Sequence, residues 1–338
     1  MMEGLELGKG WTVGSRVPRS PCQTGGTFSC SYRVSNTDGR DGFLKAMDYA
    51  SALASKDPAS ELHRITSAYL FERMVLEECS ANGMSRIVKA IDSGKAQVGN
   101  SVVEYLIFEP AIGDVRARLG SLRSFELAWR LGCIHNICVG VRQLHGAGIA
   151  HQDLKPSNVL EFPQGGQKLA DLGRAWHRGW QSPFDDFPCP GDVSYAPPEL
   201  LYRDVVRGDE ERRFGADFYL AGSMIAFLFT GVRAMEMVIS ELDPQFHPDR
   251  WEGTYVEVLP YLQRAFSKNL AALQGNFHDA RLRDELCDVY KQMCNPDIVA
   301  RGDRFHRSAI GSRFGLERFI SKFDMLRSLA LAGKVKHQ

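Results

Sequence analysis

The stretch HQDLKPSNVL, residues 151–160, gathers a histidine, an aspartate, a lysine and an asparagine within eight residues, and Asp171 of the triplet DLG follows thirteen residues after Asn158. These side chains suit phosphoryl transfer. A loose transition state spreads negative charge over its oxygens. Its catalyst needs charge neutralisation, a positioned hydroxyl and two side chains able to hold a metal ion. A helix-like run precedes the loop, and the strand-like segments VLEF and QKLA lie between it and DLG.

HxDxKxxN followed at this distance by DLG resembles the eukaryotic-like Ser/Thr protein kinase family, and the resemblance extends over about residues 8 to 330. It implies that Asp153 orients the acceptor hydroxyl and takes its proton, that Lys155 touches the γ-phosphate, and that Asn158 and Asp171 hold metal. Lys45 in FLKAMD corresponds to the lysine that grips the α- and β-phosphates. Its partner is sought among Glu72, Glu77 and Glu78, with Glu72 the best fit because FERMVL gives it hydrophobic neighbours. LIFEPAIGD resembles the hinge, with Phe108 as gatekeeper, backbone groups of Glu109 and Ala111 facing adenine, and Asp114 within reach of the ribose. GDVSYAPPEL resembles the end of an activation segment, which pairs Glu199 with Arg301 and makes Asp217 the brace of the catalytic loop. The implied co-substrate is ATP with Mg²⁺ or Mn²⁺, and the implied acceptor is a Ser/Thr hydroxyl of a protein, the loop DLKPSN being of the Ser/Thr type. A pseudokinase scaffold and a small-molecule phosphotransferase of the same fold are the rivals. Against them stand Lys45, Asp153, Asn158 and Asp171, all present, together with Lys155 and APPE.

Several positions depart from the family pattern. QTGGTFSCSY keeps Gly26 of the three expected glycines and adds Gly25, leaving these two to approach phosphate. Ser31 replaces the valine over the adenine ring, and Phe43 replaces an alanine. Gln152 stands where many members carry an arginine that receives an activation-segment phosphate. The hydroxyl residues between Asp171 and Glu199 are Ser182, Ser194 and Tyr195, beside Asp185 and Asp186. Activity independent of activation-segment phosphorylation is therefore expected. Asp192 replaces a threonine and is placed to pair with Lys155. The mixed-charge insertion RDVVRGDEERRFG reads as a solvated loop, with a docking surface as the sharper alternative.

The elements that must position these residues follow from periodicity. FSCSYRVS and DGFLKAMDY read as strands joined by a turn at Asp38-Gly39, and RIVKAIDSG and SVVEYLIFEP as two more. A helix is predicted from about Ala59 to Cys79, with apolar positions at Leu62, Ile65, Tyr69, Phe71, Val75 and Leu76. After Pro110 the text turns helical, including FELAWRLGCIHNICVGVRQLHGAG, stopped by Gly146 and Gly148, and DFYLAGSMIAFLFTGV, which is apolar nearly all round. The expected fold is α+β and bilobal: a small β-rich N-lobe with one main helix over 1–110, and a larger helical C-lobe over 111–338.

Composition constrains partners more than chemistry. Lysine plus arginine equals aspartate plus glutamate at 41 each in 338 residues, so no global field favours nucleic acid or an anionic membrane. MMEGLELGKG lacks a signal pattern, and no run nears the roughly 18 apolar residues of a membrane span, so a soluble, cytoplasmic, stand-alone protein is expected. Eight cysteines without CxxC or zinc spacing read as reduced, mostly buried thiols. Target, trigger and oligomeric state leave no trace in the sequence.

Overall fold

Alternating apolar and polar residues sort the N-terminal strands into two faces. The computed structural model describes residues 2–18, 29–121, 127–164, 166–204, 208–305 and 312–336. In it β1 (Trp11–Val17), β2 (Ser29–Asn36), β3 (Asp41–Met47), β4 (Ala90–Val98) and β5 (Ser101–Phe108) form an antiparallel sheet of order β1-β2-β3-β5-β4. At the β2–β3 turn, Asn36 Oδ1 accepts from Asp38 N at 3.0 Å and Arg40 N at 2.8 Å, and Gly39 takes the positive φ of 77°. Leu44 and Ala46 of β3 and Tyr105 and Ile107 of β5 join an outer core with Trp11, Val13 and Val34. Their neighbours Met47, Leu106 and Phe108 face the main core. Lys45 lies opposite Leu106 on this inner side, so the strand period itself delivers its ammonium to the cleft.

The short helix α1 (Tyr49–Leu53) leads to α2 (Pro58–Ala81), which is capped by Asp57 and begins at a proline. Its buried positions include Ile65, Tyr69, Glu72, Val75, Leu76 and Cys79, spaced as one helical face. Glu72 is therefore carried inside by the apolar stripe around it.

Beyond β5 the chain enters the helical lobe through β6 (Gly113–Asp114), which pairs with Leu160 and Glu161, and α3 (Val115–Ser121). There follow α4 (Leu127–Gly146), β7 (Ile149–Ala150), the hairpin β8 (Val159–Phe162) and β9 (Gly166–Leu169), β10 (Trp176–His177) and α5 (Pro198–Leu201). Helices α6 (Gly215–Thr230), α7 (Ala234–Ile239), α8 (Tyr255–Gln274), α9 (Ala280–Met293) and α10 (Glu317–Leu331) complete it. All of α6 but Thr230 is buried, so it is the centre on which the lobe packs. Gly222 permits the close crossing of α6 and α9, since a Cβ there would lie 2.4 Å from that of Met293.

The insertion before α6 differs from the solvated loop expected of it. Residues 205–207 lie outside the described residues, but Glu210–Phe214 forms a π-helical turn running into α6, with Arg213 and Phe214 buried. The charges turn inward because backbone carbonyls and an aspartate of the activation segment await them there. No helix among the described residues is long and apolar enough to cross a membrane, and the seven cysteines among them are unpaired.

Candidate active site

The catalytic loop hangs from the first turn of α6. Asp217 accepts from the backbone N–H of His151 at 2.6 Å and of Gln152 at 2.7 Å, and its Oδ2 also lies 3.1 Å from His145 Nε2. The His151 ring bonds Ala170 O through Nε2 at 3.1 Å and accepts from Asp153 N through Nδ1 at 3.3 Å, which defines the neutral tautomer. Gln152 has φ of 63°, a left-handed conformation costing a non-glycine residue on the order of 1 kcal/mol, held here by bonds at both its backbone and its side chain.

The β8–β9 hairpin brings the two metal-site candidates together. Val159 pairs with Leu169, and Ala170 N donates to Asn158 O at 2.9 Å, so Asn158 and Asp171 sit at the open end of the same hairpin. Asn158 Nδ2 donates to Asp153 O at 2.8 Å and Asp153 Oδ2 at 3.1 Å. That fixes the amide and leaves Oδ1 as the oxygen for a hard cation. Asp171, with φ of 63°, turns its carboxylate toward the N-lobe.

Two lysines each bridge two carboxylates. Lys45 Nζ donates to Glu72 at 3.0 and 2.9 Å and to Asp171 Oδ1 at 2.9 Å. Of the other glutamates weighed as its partner, Glu77 pairs with Arg73 and Glu78 faces His177. Lys155 Nζ lies 3.2 Å from both Asp153 Oδ2 and Asp192 Oδ2. Burial works against the Lys45 ammonium, but Asp171 and Glu72 outweigh it and hold its pKa above the usual value. Lys45 in turn pulls Asp171 below the ordinary carboxylate range, whereas burial pushes Glu72 up. Burial also raises Asp153, with Lys155 partly offsetting it.

The donor set fits a nucleotide-bound cation better than a caged one. No group of three or more His, Cys, Asp or Glu arranged for a metal occurs among the described residues. The Asp171 carboxylate and Asn158 Oδ1 are oxygen donors for a hard cation that would take its remaining ligands from phosphate and water. At the hinge, Glu109 N donates to Lys89 O at 3.1 Å, and its carboxylate takes Lys168 Nζ at 2.6 Å. Ala111 lies between this strand end and β6, and Asp114 Oδ1 caps α3 by accepting from Ala117 N at 2.7 Å. Gly25 and Gly26 fall outside the described residues.

The family model described as "Protein kinase domain" matches residues 25–301, most of the chain. The chain belongs to the protein kinase family. It is 25% identical over 224 residues to a probable cell division protein kinase of Encephalitozoon cuniculi, covering 65% of this chain and 64% of that one. It is 30% identical over 177 residues to a cyclin-dependent kinase of Arabidopsis thaliana, covering 50% of this chain and 53% of the relative. A probable serine/threonine-protein kinase of Corynebacterium glutamicum matches at 25% over 211 residues, 59% of this chain and 31% of the relative. The chain spans less than two thirds of the length of each of these relatives.

In this member of the kinase family the activation segment is tied down at several points. Arg301 grips Glu199 through two bonds of 2.7 Å, with both side chains buried. Asp192 N donates to Asp153 Oδ1 at 2.8 Å, and its own Oδ1 accepts from the hydroxyl of Ser194 at 2.7 Å. Ser182 is buried, with its hydroxyl donating to Ala175 O at 2.8 Å and its N–H to Asp185 Oδ2 at 2.9 Å. The π-turn supplies the remaining anchors, which sequence reasoning missed. Arg213 donates to Gln152 Oε1 at 2.7 Å, Asp185 O at 3.2 Å and Asp185 Oδ1 at 3.3 Å, while Arg212 reaches Asp185 O at 3.1 Å and Phe187 O at 2.9 Å. The signal available was spacing. Arg213 precedes Asp217 by four residues and so shares its side of the helix.

Proposed function

We propose that this kinase-family chain transfers the γ-phosphoryl group of ATP to Ser or Thr hydroxyls of a protein substrate, and does so without phosphate on its activation segment. The observation that carries the first part is Lys45 bridging Glu72 and Asp171 at 2.9–3.0 Å, in the same cavity as Asp153 and Lys155. Asp153 is the group to orient the hydroxyl and accept its proton, and its raised pKa makes it a better base than an ordinary aspartate. Lys155 neutralises charge between donor and acceptor, and Lys45 binds the α- and β-phosphates. Asn158 and Asp171 would hold Mg²⁺ or Mn²⁺, whose role when bound is to neutralise the phosphate oxygens. Gly25 and Gly26, the backbone of Glu109 and Ala111, and the free oxygen of Asp114 would hold the rest of the nucleotide. In this reading the lobes divide at 110/111, and the protein works in the cytoplasm.

Phosphate independence is supported by what occupies the activation segment. Ser182 is buried and already bonded, so a kinase could reach its hydroxyl only by pulling the segment apart. The neighbouring Asp185 meets a buried guanidinium, Arg213, without any added charge.

The test is labelled phosphate transfer from Mg²⁺-ATP to a generic basic protein by the wild type, Asp171→Asn and Asp153→Asn. Transfer by the wild type alone is expected. Nucleotide binding without transfer by any of the three would favour a scaffold.

A further inference from the structure

A cavity of about 200 Å³ opens between α2, the catalytic loop and the activation segment, and Arg64 and Arg174 line it together with the two lysine bridges. The lysines have little charge to spare. Lys45 serves Glu72 and Asp171, and Lys155 serves Asp153 and Asp192. Arg64, on the inner face of α2, is held by Glu61 at 2.7 Å.

Arg174 is different. Its guanidinium lies 4.0 Å over the ring of Phe184, and no carboxylate among the described residues is in salt-bridge contact with it. Its backbone is pinned, because Gln152 Nε2 donates to Arg174 O at 3.1 Å. Burial lowers its pKa, and of the charged groups around it Asp153 raises it most. A partly desolvated guanidinium without a carboxylate is an unfavourable arrangement alone and a favourable one when an anion arrives, since its planar donors match carboxylate and phosphate oxygens.

We propose that Arg174, with Arg64 beside it, binds an acidic or phosphorylated side chain of the protein substrate close to the hydroxyl that receives phosphate. The inference rests on the protein-kinase reading and names the substrate class for it. Acceptor anions are favoured over the nucleotide for two reasons. Arg174 lines the same cavity as Asp153, the group placed at the acceptor hydroxyl in that reading, and the ring beneath its guanidinium belongs to the activation segment.

The test compares serine peptides flanked by alanine, glutamate or phosphoserine within three residues of the acceptor. For each, kcat/KM is measured, along with the anisotropy of labelled analogues carrying alanine for the acceptor serine. The wild type should favour the anionic peptides over the alanine peptide by about tenfold or more, the size expected of one charge-assisted pair. Arg174→Met should bring that ratio within about twofold of unity, and Arg64→Met should lower it in part. The glutamate and phosphoserine arms show which anion is preferred. An unchanged ratio in Arg174→Met overturns the proposal, and a rise in KM for ATP alone would assign the arginine to the nucleotide. If Arg174→Met fails to fold, Arg174→Gln and Arg64→Met carry the comparison. If the wild type phosphorylates no peptide the kinase reading fails, but the anisotropy arm still decides: binding of anionic analogues that depends on Arg174 supports this site, and its absence removes it.

Discussion

Arg213 and Asp217, four residues apart at the entrance to α6, hold the same catalytic-loop residue from one side of the helix. Arg213 Nη1 donates to Gln152 Oε1 at 2.7 Å, and Gln152 N donates to Asp217 Oδ1 at 2.7 Å. Asp217 thereby fixes the backbone beside Asp153, and Arg213 adds the side chain and ties it to Asp185. The loop and the activation segment are thus referred to one rigid helix.

Replacing Arg213 by Met should lower kcat about tenfold or more while KM for ATP stays within about twofold, because the acceptor side of the cleft loses its anchor and the phosphate grip does not. Leaving Gln152 Oε1 and the Asp185 carboxylate short of a donor should also reduce unfolding stability by about 1–3 kcal/mol. Steady-state kinetics with denaturant titration check both, and an equal loss in nucleotide binding would count against the anchoring role.

The acid limb of kcat/KM should lie above the ordinary aspartate value of about 3.9. In its proposed role Asp153 must be ionised to accept a proton, and burial raises its pKa, so activity should fall as pH drops through that raised value. Lys155 opposes the rise. Lys155→Met should therefore move the limb to higher pH as well as slowing the reaction. A shift to lower pH in the pH–rate profile would contradict this assignment.

Gly191 of the activation segment lies directly against the catalytic loop. A Cβ at this position would lie 2.2 Å from Gln152 O and 3.1 Å from Asp153 Cα. Gly191→Ala must push the segment away and lengthen the 2.8 Å bond from Asp192 N to Asp153 Oδ1. Activity should fall about tenfold, with a stability loss of about 1–3 kcal/mol from the forced shift. Near-normal activity in the same assay would show that this contact does not position Asp153.

Pairings that the family resemblance carries, such as Glu199 with Arg301 and Lys155 with Asp192, were legible in the sequence, and those peculiar to this chain were not. HxDxKxxN and DLG stand out because they gather their polar side chains within a short span. Lys45 was named by the family resemblance of FLKAMD, and Glu72 was preferred as its partner because FERMVL surrounds it with hydrophobic neighbours on a helical stripe. Arg213 meets Gln152 across 61 residues of sequence, and within RDVVRGDEERRFG only its spacing of four from Asp217 separates it from an arginine that faces water. Ser182 likewise looks like any hydroxyl in a polar segment until Ala175 O and Asp185 are found beside it.

Glu199 and Arg301 form a buried pair whose members depend on each other. Removing Arg301 leaves a carboxylate in the interior of the lobe, and Arg301→Met should cost about 3–5 kcal/mol of unfolding free energy. The double variant Glu199→Gln, Arg301→Met should be less destabilised than the sum of the two single changes. Strict additivity in thermal or denaturant unfolding would mean that the pair contributes no coupling.

The most direct measurement is the progress curve of phosphate transfer by protein whose intact mass shows no phosphate, beside Ser182→Ala prepared the same way. A site held by Arg213, Asp217 and Arg301 should give transfer that is linear from the first turnovers, with both proteins within about twofold of each other. A lag that follows phosphate incorporation into the activation segment, or no transfer until such phosphate is present, would contradict the account.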